Sequence, residues 1–153
     1  MDADAEMAWI ERVAEFFAAQ EGLPPITGRI LGWLMICDPA EQSAADIATA
    51  IKASRASMTT NIRTLMAVGL IRRRTRAGDR TAYYRIDDDA WEAALRRRIE
   101  GMVKFEQIAA AGLDLVGEDT ERASRLRAAH DVYRWIGEVF TNSNAWNRPR
   151  SQQ

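Results

Sequence analysis

Eight arginines and one lysine fall between Ser43 and Ile86, against only two acids, Asp46 and Asp79. The stretch carries +7 inside a chain whose net charge is −1. Residues 1–42 hold 8 acids and 2 bases, and residues 87–153 hold 12 acids and 10 bases, so the positive charge is confined to one module. Local charge, not the total, sets the field at a binding surface. Guanidinium groups present rigid donor forks that match phosphate and guanine edges, which lysine does not. The chemistry to expect here is recognition of an anionic polymer.

The elements that must carry these side chains are legible in the same stretch. Ala44–Ile51 has a helical pattern burying Ile47, Ala48 and Ile51, and Ser43 with Asp46 has the spacing of a capping box. Lys52-Ala53-Ser54 is a short turn, with Ser54 as N-cap of a second helix that runs to about Val68 and stops at Gly69. That helix keeps Met58, Ile62, Leu65 and Met66 on one face. Its opposite face is small, polar and basic, and no acid occurs from Ser54 to Thr75. A helix lying in a major groove needs such a face. Ser54, Arg55, Ser57, Thr60, Arg63 and Thr64 are therefore the expected groove contacts. Beyond Gly69 come two β-rich runs around Ala77-Gly78-Asp79-Arg80, a hairpin with Gly78 at its tip. Of its arginines, Arg74, Arg76 and Arg80 are the expected wing contacts, Arg80 at the tip being suited to a minor groove. Asp79 would steady the turn or orient Arg80. Arg72 and Arg85 are candidates for pairing with acids of neighbouring helices.

The rest of the chain supplies helices. Residues 3–20 form an amphipathic helix with Trp9, Ile10, Val13, Phe16 and Phe17 on one side. A broadly apolar, central helix follows from about Pro25 to Cys37, where Gly28 and Gly32 would let another helix approach closely. Asp87-Asp88-Asp89 would cap a helix of about 88–112, Gly112–Asp119 would be a break, and a last helix would run from about Thr120 to Thr141. The fold class is mainly α, an α+β winged helix-turn-helix with a two-stranded wing. Its domains are a DNA-binding lobe over 23–86, a helical dimerisation lobe over 1–22 and 87–145, and a flexible tail over 146–153. The terminal helices, with Trp9, Trp91 and Trp135, carry more apolar surface than one small winged helix can cover, which favours a homodimer.

Other chemistry is poorly provided for. One histidine, His130, and one cysteine, Cys37, supply no metal-ligand spacing, and no glycine-rich phosphate loop occurs. No metal, cofactor or enzymatic activity is expected. His130 reads as a satisfied interface histidine and Cys37 as a small hydrophobe. A lone cysteine excludes an internal disulfide and points to a reducing, cytoplasmic setting. No apolar run approaches the ~18 residues of a membrane span, and the acidic N-terminus is unlike a secretory signal.

Residues 23–86 resemble the multiple-antibiotic-resistance regulator (MarR) superfamily, most closely its glycine-betaine-regulator (GbsR) branch. The resemblance lies in Leu23-Pro24 with Gly28-Arg29-Ile30, then Ser43-Ala44-Ala45-Asp46-Ile47-Ala48 and Ser54-Arg55-Ala56-Ser57. It continues through Gly69-Leu70-Ile71 and Gly78-Asp79-Arg80 to Tyr84-Arg85. The chain departs from the commoner wing in its short tip and its Tyr83-Tyr84 pair. The resemblance implies a dimeric transcriptional regulator, a repressor, whose two wings address a pseudo-palindromic duplex operator. It also implies a small-molecule effector held between the lobes. Trp33, Trp91, Tyr133 and Trp135 are the candidate pocket residues, with core packing as the plainer reading of each. The rival is a winged-helix module that binds protein or RNA through the same arginines without duplex sequence preference.

Overall fold

The computed structural model describes residues 2–117 and 120–142. Its elements in chain order are α1 (Ala3–Glu21), α2 (Pro25–Ile36), β1 (Gln42–Ser43), α3 (Ala44–Ala50), α4 (Arg55–Ala67), β2 (Ile71–Thr75), β3 (Ala82–Ile86), α5 (Ala90–Val116) and α6 (Glu121–Asn142). They divide into two compact units, one through Ala94 and one from Leu95 onward.

In the first unit α1 and α2 are held at close range by glycine. A Cβ on Gly28 would stand 2.6 Å from Ala14 Cα, and one on Gly32 would stand 3.3 Å from Ile10 Cα. The expected close approach is therefore real, and its partner is α1. The core of this unit joins Ile30, Leu31 and Leu34 of α2 to Ile47, Ala48 and Ile51. Met58, Ile62 and Leu65 of α4 and Leu70, Ile71 and Ala90 complete it. The apolar stripe read for α4 is the buried one, so its polar face is turned outward.

β2 and β3 form the antiparallel hairpin, in register from Ile71 opposite Ile86 to Thr75 opposite Ala82. A third short strand, β1, absent from the sequence reading, pairs with β3 through Gln42–Tyr84 and Ser43–Tyr83. A two-residue strand has no periodicity to detect. Ser43 also caps α3. Its Oγ accepts from Asp46 N (3.1 Å) while Asp46 Oδ2 accepts from Ser43 N (3.2 Å), the full capping box.

In the second unit Gly112 does not break the helix, as its sequence position suggested. α5 continues to Val116, and Gly112 lies against Leu126, 3.3 Å from where its Cβ would be. Packing outweighs propensity there. Tyr133 meets Phe105 with ring centroids 4.7 Å apart, and His130 Nε2 faces Glu106 Oε1 at 3.0 Å. The tail predicted over 146–153 lies outside the described residues. No described helix is long and apolar enough to cross a membrane.

Candidate nucleic-acid interface

The helix-turn-helix is closed by backbone bonds from Lys52 N to Thr49 O and from Ala53 N to Ala48 O, with Lys52 at φ +54°. Ser54 occupies the N-cap of α4, but its side chain caps nothing. Its hydroxyl lies 3.4 Å from that of Ser57, which donates to Ser54 O at 2.8 Å. Thr64 Oγ1 donates to Thr60 O at 3.1 Å. Ser54, Arg55, Thr60 and Arg63 are exposed, and Ser57 and Thr64 are half-buried. Thr60, Arg63 and Thr64 follow one side of α4 with Ser57, Arg55 stands at its N-terminal end beside Met58 and Thr59, and α4 itself carries no carboxylate.

The hairpin arginines separate into two groups. Arg72 Nε donates to Asp87 Oδ2, and Arg85 Nη2 donates to Asp88 Oδ1 at 3.1 Å. Those aspartates open the approach to α5, and Asp87 serves both ends, its Oδ1 accepting from Asp89 N at 3.3 Å while its Oδ2 holds Arg72. The Asp87 carboxyl is held below its ordinary value by the Arg72 hydrogen bond, and Arg72 is raised by the same bond. Arg76 is also engaged: its Cζ sits 3.9 Å above the Tyr83 ring, and its Nη2 lies 3.3 Å from Glu41 Oε2. By contrast, Arg55, Arg63, Arg73, Arg74 and Arg80 are exposed and make no ion pair among the described residues.

Asp79 steadies the turn and leaves Arg80 unengaged. Its Oδ1 accepts from Thr81 N (2.8 Å) and its Oδ2 from Tyr83 OH (2.9 Å). These bonds, the Thr81 amide first, lower the Asp79 carboxyl, and the Asp79 bond raises the Tyr83 phenol. Gly78 takes φ +77°, as the tip requires. Three partnerships are hidden in the sequence: Glu41 with Arg76, Thr27 with Asn61, and Tyr83 with Asp79. The first two join residues 35 and 34 positions apart, and the third depends on the shape of the turn.

Of the four aromatic residues expected to line a ligand pocket, Trp33 and Trp91 lie in the first unit and Tyr133 and Trp135 in the second. Trp91 lines an opening of about 460 Å³ with Trp9, Arg12, Val13, Phe16, Phe17 and Met35. It also lines one of about 270 Å³ with Leu34, Met35, Ala40, Arg85, Ile86 and Asp88. Trp33 lines neither and packs against the core, its Nε1 buried. Tyr133 packs on Phe105, and Trp135 is 63% exposed. Cys37 is half-buried, and burial raises its thiol, as suits a small hydrophobe. No cluster of three or more potential metal ligands occurs among the described residues.

Comparison with known proteins agrees with this arrangement. Residues 21–80 match the MarR family, and residues 89–142 match the MmpR5-like MarR family transcriptional regulators. The chain is 36% identical over 138 residues to the HTH-type transcriptional regulator MmpR5 of Mycobacterium tuberculosis, covering 90% of this chain and 83% of that protein. A crystal structure described as a transcriptional regulator superposes with a TM-score of 0.70 at 35% identity, over 90% of this chain and 94% of that one. The winged helix-turn-helix, the family matches and these relatives together establish that the chain belongs to the MarR family of transcriptional regulators, as an MmpR5-like member.

Proposed function

We propose that the chain is a homodimeric repressor that reads a pseudo-palindromic duplex operator, with 23–86 as the DNA-binding lobe. The observation that carries this reading is the division of the arginines. Arg55, Arg63, Arg73, Arg74 and Arg80 stand exposed and unpaired on the helix-turn-helix and wing, while Arg72, Arg76 and Arg85 are neutralised locally. Phosphate anchoring by the unpaired group would release counterions, and Arg63 with the hydroxyls of α4 would supply base contacts. Arg76 then contributes to binding by holding the wing through Tyr83 and Glu41, not by reaching a phosphate.

Dimerisation through α1 and residues 87–145 is supported by apolar side chains left uncovered on α5 and α6. Ile108 is 67% exposed, Leu115 86% and Trp135 63%, more than an unpartnered helix pair would carry. A two-fold pair suits an operator with two half-sites. Relief by a small organic molecule is supported by the Trp91 cavities, whose linings mix aromatic and aliphatic groups with Arg12 or Arg85. The glycine-betaine-regulator likeness rests on the motifs of residues 23–86, and the cytoplasmic location rests on the lone cysteine.

Enrichment from a random duplex library tests the reading. Recovery of an inverted repeat bound by one dimer supports it. Absence of enrichment, with RNA or a protein retained through the same arginines, would instead establish the interaction-module alternative.

A further inference from the structure

Thr27 is a hydroxyl with no exposure at all, in the first turn of α2. Its Oγ1 donates to Asn61 Oδ1 at 2.6 Å, and Asn61 Nδ2 donates in turn to Ser57 O, also at 2.6 Å. Asn61 lies on α4 between Thr60 and Arg63, where an asparagine invites reading as a bidentate partner of adenine. Here both ends of its amide are already engaged inside the protein. The residue beside Thr27 is Gly28, whose lack of a side chain lets α2 lie against the backbone of α1 at Ala14. The Thr27–Asn61 bond therefore ties the recognition helix to a closely packed helix pair.

We propose that Asn61 is a positioning residue. Through its bond to Thr27 it fixes the rotation and depth of α4, so it contributes to sequence discrimination without touching a base. This rests on the DNA-binding reading above. A base contact depends on side-chain placement to a fraction of an ångström, whereas phosphate attraction tolerates small rotations. Loss of the bond thus costs selectivity more than general affinity.

The experiment compares Thr27→Val, Thr27→Ser and Asn61→Ala with the wild-type chain. Kd is measured for a library-enriched duplex and a scrambled duplex of the same composition at two salt concentrations, after urea unfolding has verified each fold. Because Thr27 cannot reach DNA, any change it causes is indirect. Thr27→Val is expected to lower the selectivity ratio about five-fold, the scale of one net hydrogen bond. The scrambled-duplex Kd and the salt slope should stay at their wild-type values. Thr27→Ser should restore the ratio, and Thr27→Val combined with Asn61→Ala should be no worse than either alone. If Thr27→Val does not fold, Thr27→Ala removes the same hydroxyl and provides the comparison. Wild-type selectivity in Thr27→Val alongside lost selectivity in Asn61→Ala would overturn the proposal and make Asn61 a direct base reader. Wild-type selectivity in both would overturn it by showing that the bond does not set the helix. A wild-type chain that does not discriminate between the duplexes overturns the DNA reading, and this inference with it.

Discussion

Arg72 and Arg85 stand directly opposite each other across β2 and β3, and each ends on its own aspartate, Arg72 on Asp87 and Arg85 on Asp88. Like charges at a cross-strand pair destabilise a sheet unless they are neutralised. The Asp87-Asp88 pair at the approach to α5 does this, and it leaves the net positive field of the wing to Arg73, Arg74 and Arg80.

Acid should loosen the base of the wing. The Asp87 carboxyl titrates below its ordinary value of 3.8 because Arg72 donates to it. Its contribution is fully present above that ordinary value and is lost as pH falls through the depressed one. The urea midpoint measured from pH 7 down to pH 3 should fall less steeply at the acid end in Asp87→Asn than in the wild type. Identical acid limbs would mean that the pair adds nothing to stability.

Arg80 and Arg76 should differ in their salt signatures. Arg80→Ala is expected to reduce the slope of log K against log salt by about 1, the loss of one phosphate contact. Arg76→Ala should weaken binding through a displaced wing and leave the slope unchanged. An equal loss of slope in both would show that Arg76 leaves Glu41 and Tyr83 to meet the duplex.

Arg63 should carry base choice. Arg63→Ala is expected to lose about 1–3 kcal/mol on the enriched duplex and little on a scrambled one, as read by competition titration. Equal loss on both would make it a phosphate contact.

Gly28 should tolerate no side chain. Its Cβ would meet backbone, Ala14 Cα at 2.6 Å, which cannot yield as a flexible side chain would. Gly28→Ala is expected to cost about 1–3 kcal/mol in urea unfolding, the range for overpacking. Gly101, which meets nothing within 4 Å, is the control, and Gly101→Ala should not destabilise.

What the sequence disclosed was periodic or local. The buried stripe of α4 is spelled by Met58, Ile62 and Leu65 at helical spacing, and the Ser43–Asp46 box by residues three apart. The hairpin followed from the turn at Gly78, and the structure supplies its register. What it concealed depends on contacts distant in sequence. Glu41 reaches Arg76 across 35 residues, and Thr27 reaches Asn61 across 34, so neither Arg76 nor Asn61 advertises that it is occupied. Gly112 misled because its low helix propensity is visible in sequence, whereas the Leu126 side chain that rests on it is not. The aromatic residues show the same limit: residue type marks a side chain suited to a pocket or to a core alike, and only the fold reveals that Trp33 packs on the core of the first unit and Tyr133 on Phe105.

The proposed function stands or falls on sequence-selective duplex binding by the unpaired arginines. A fluorescence-anisotropy titration tests it most directly, using the enriched duplex, a scrambled duplex and a single-stranded RNA at two salt concentrations. One dimer per enriched site is expected, with an affinity at least about 10³-fold above that for scrambled duplex and a steep salt dependence of both. Weak and equal binding to the two duplexes, or a preference for the RNA, would contradict it.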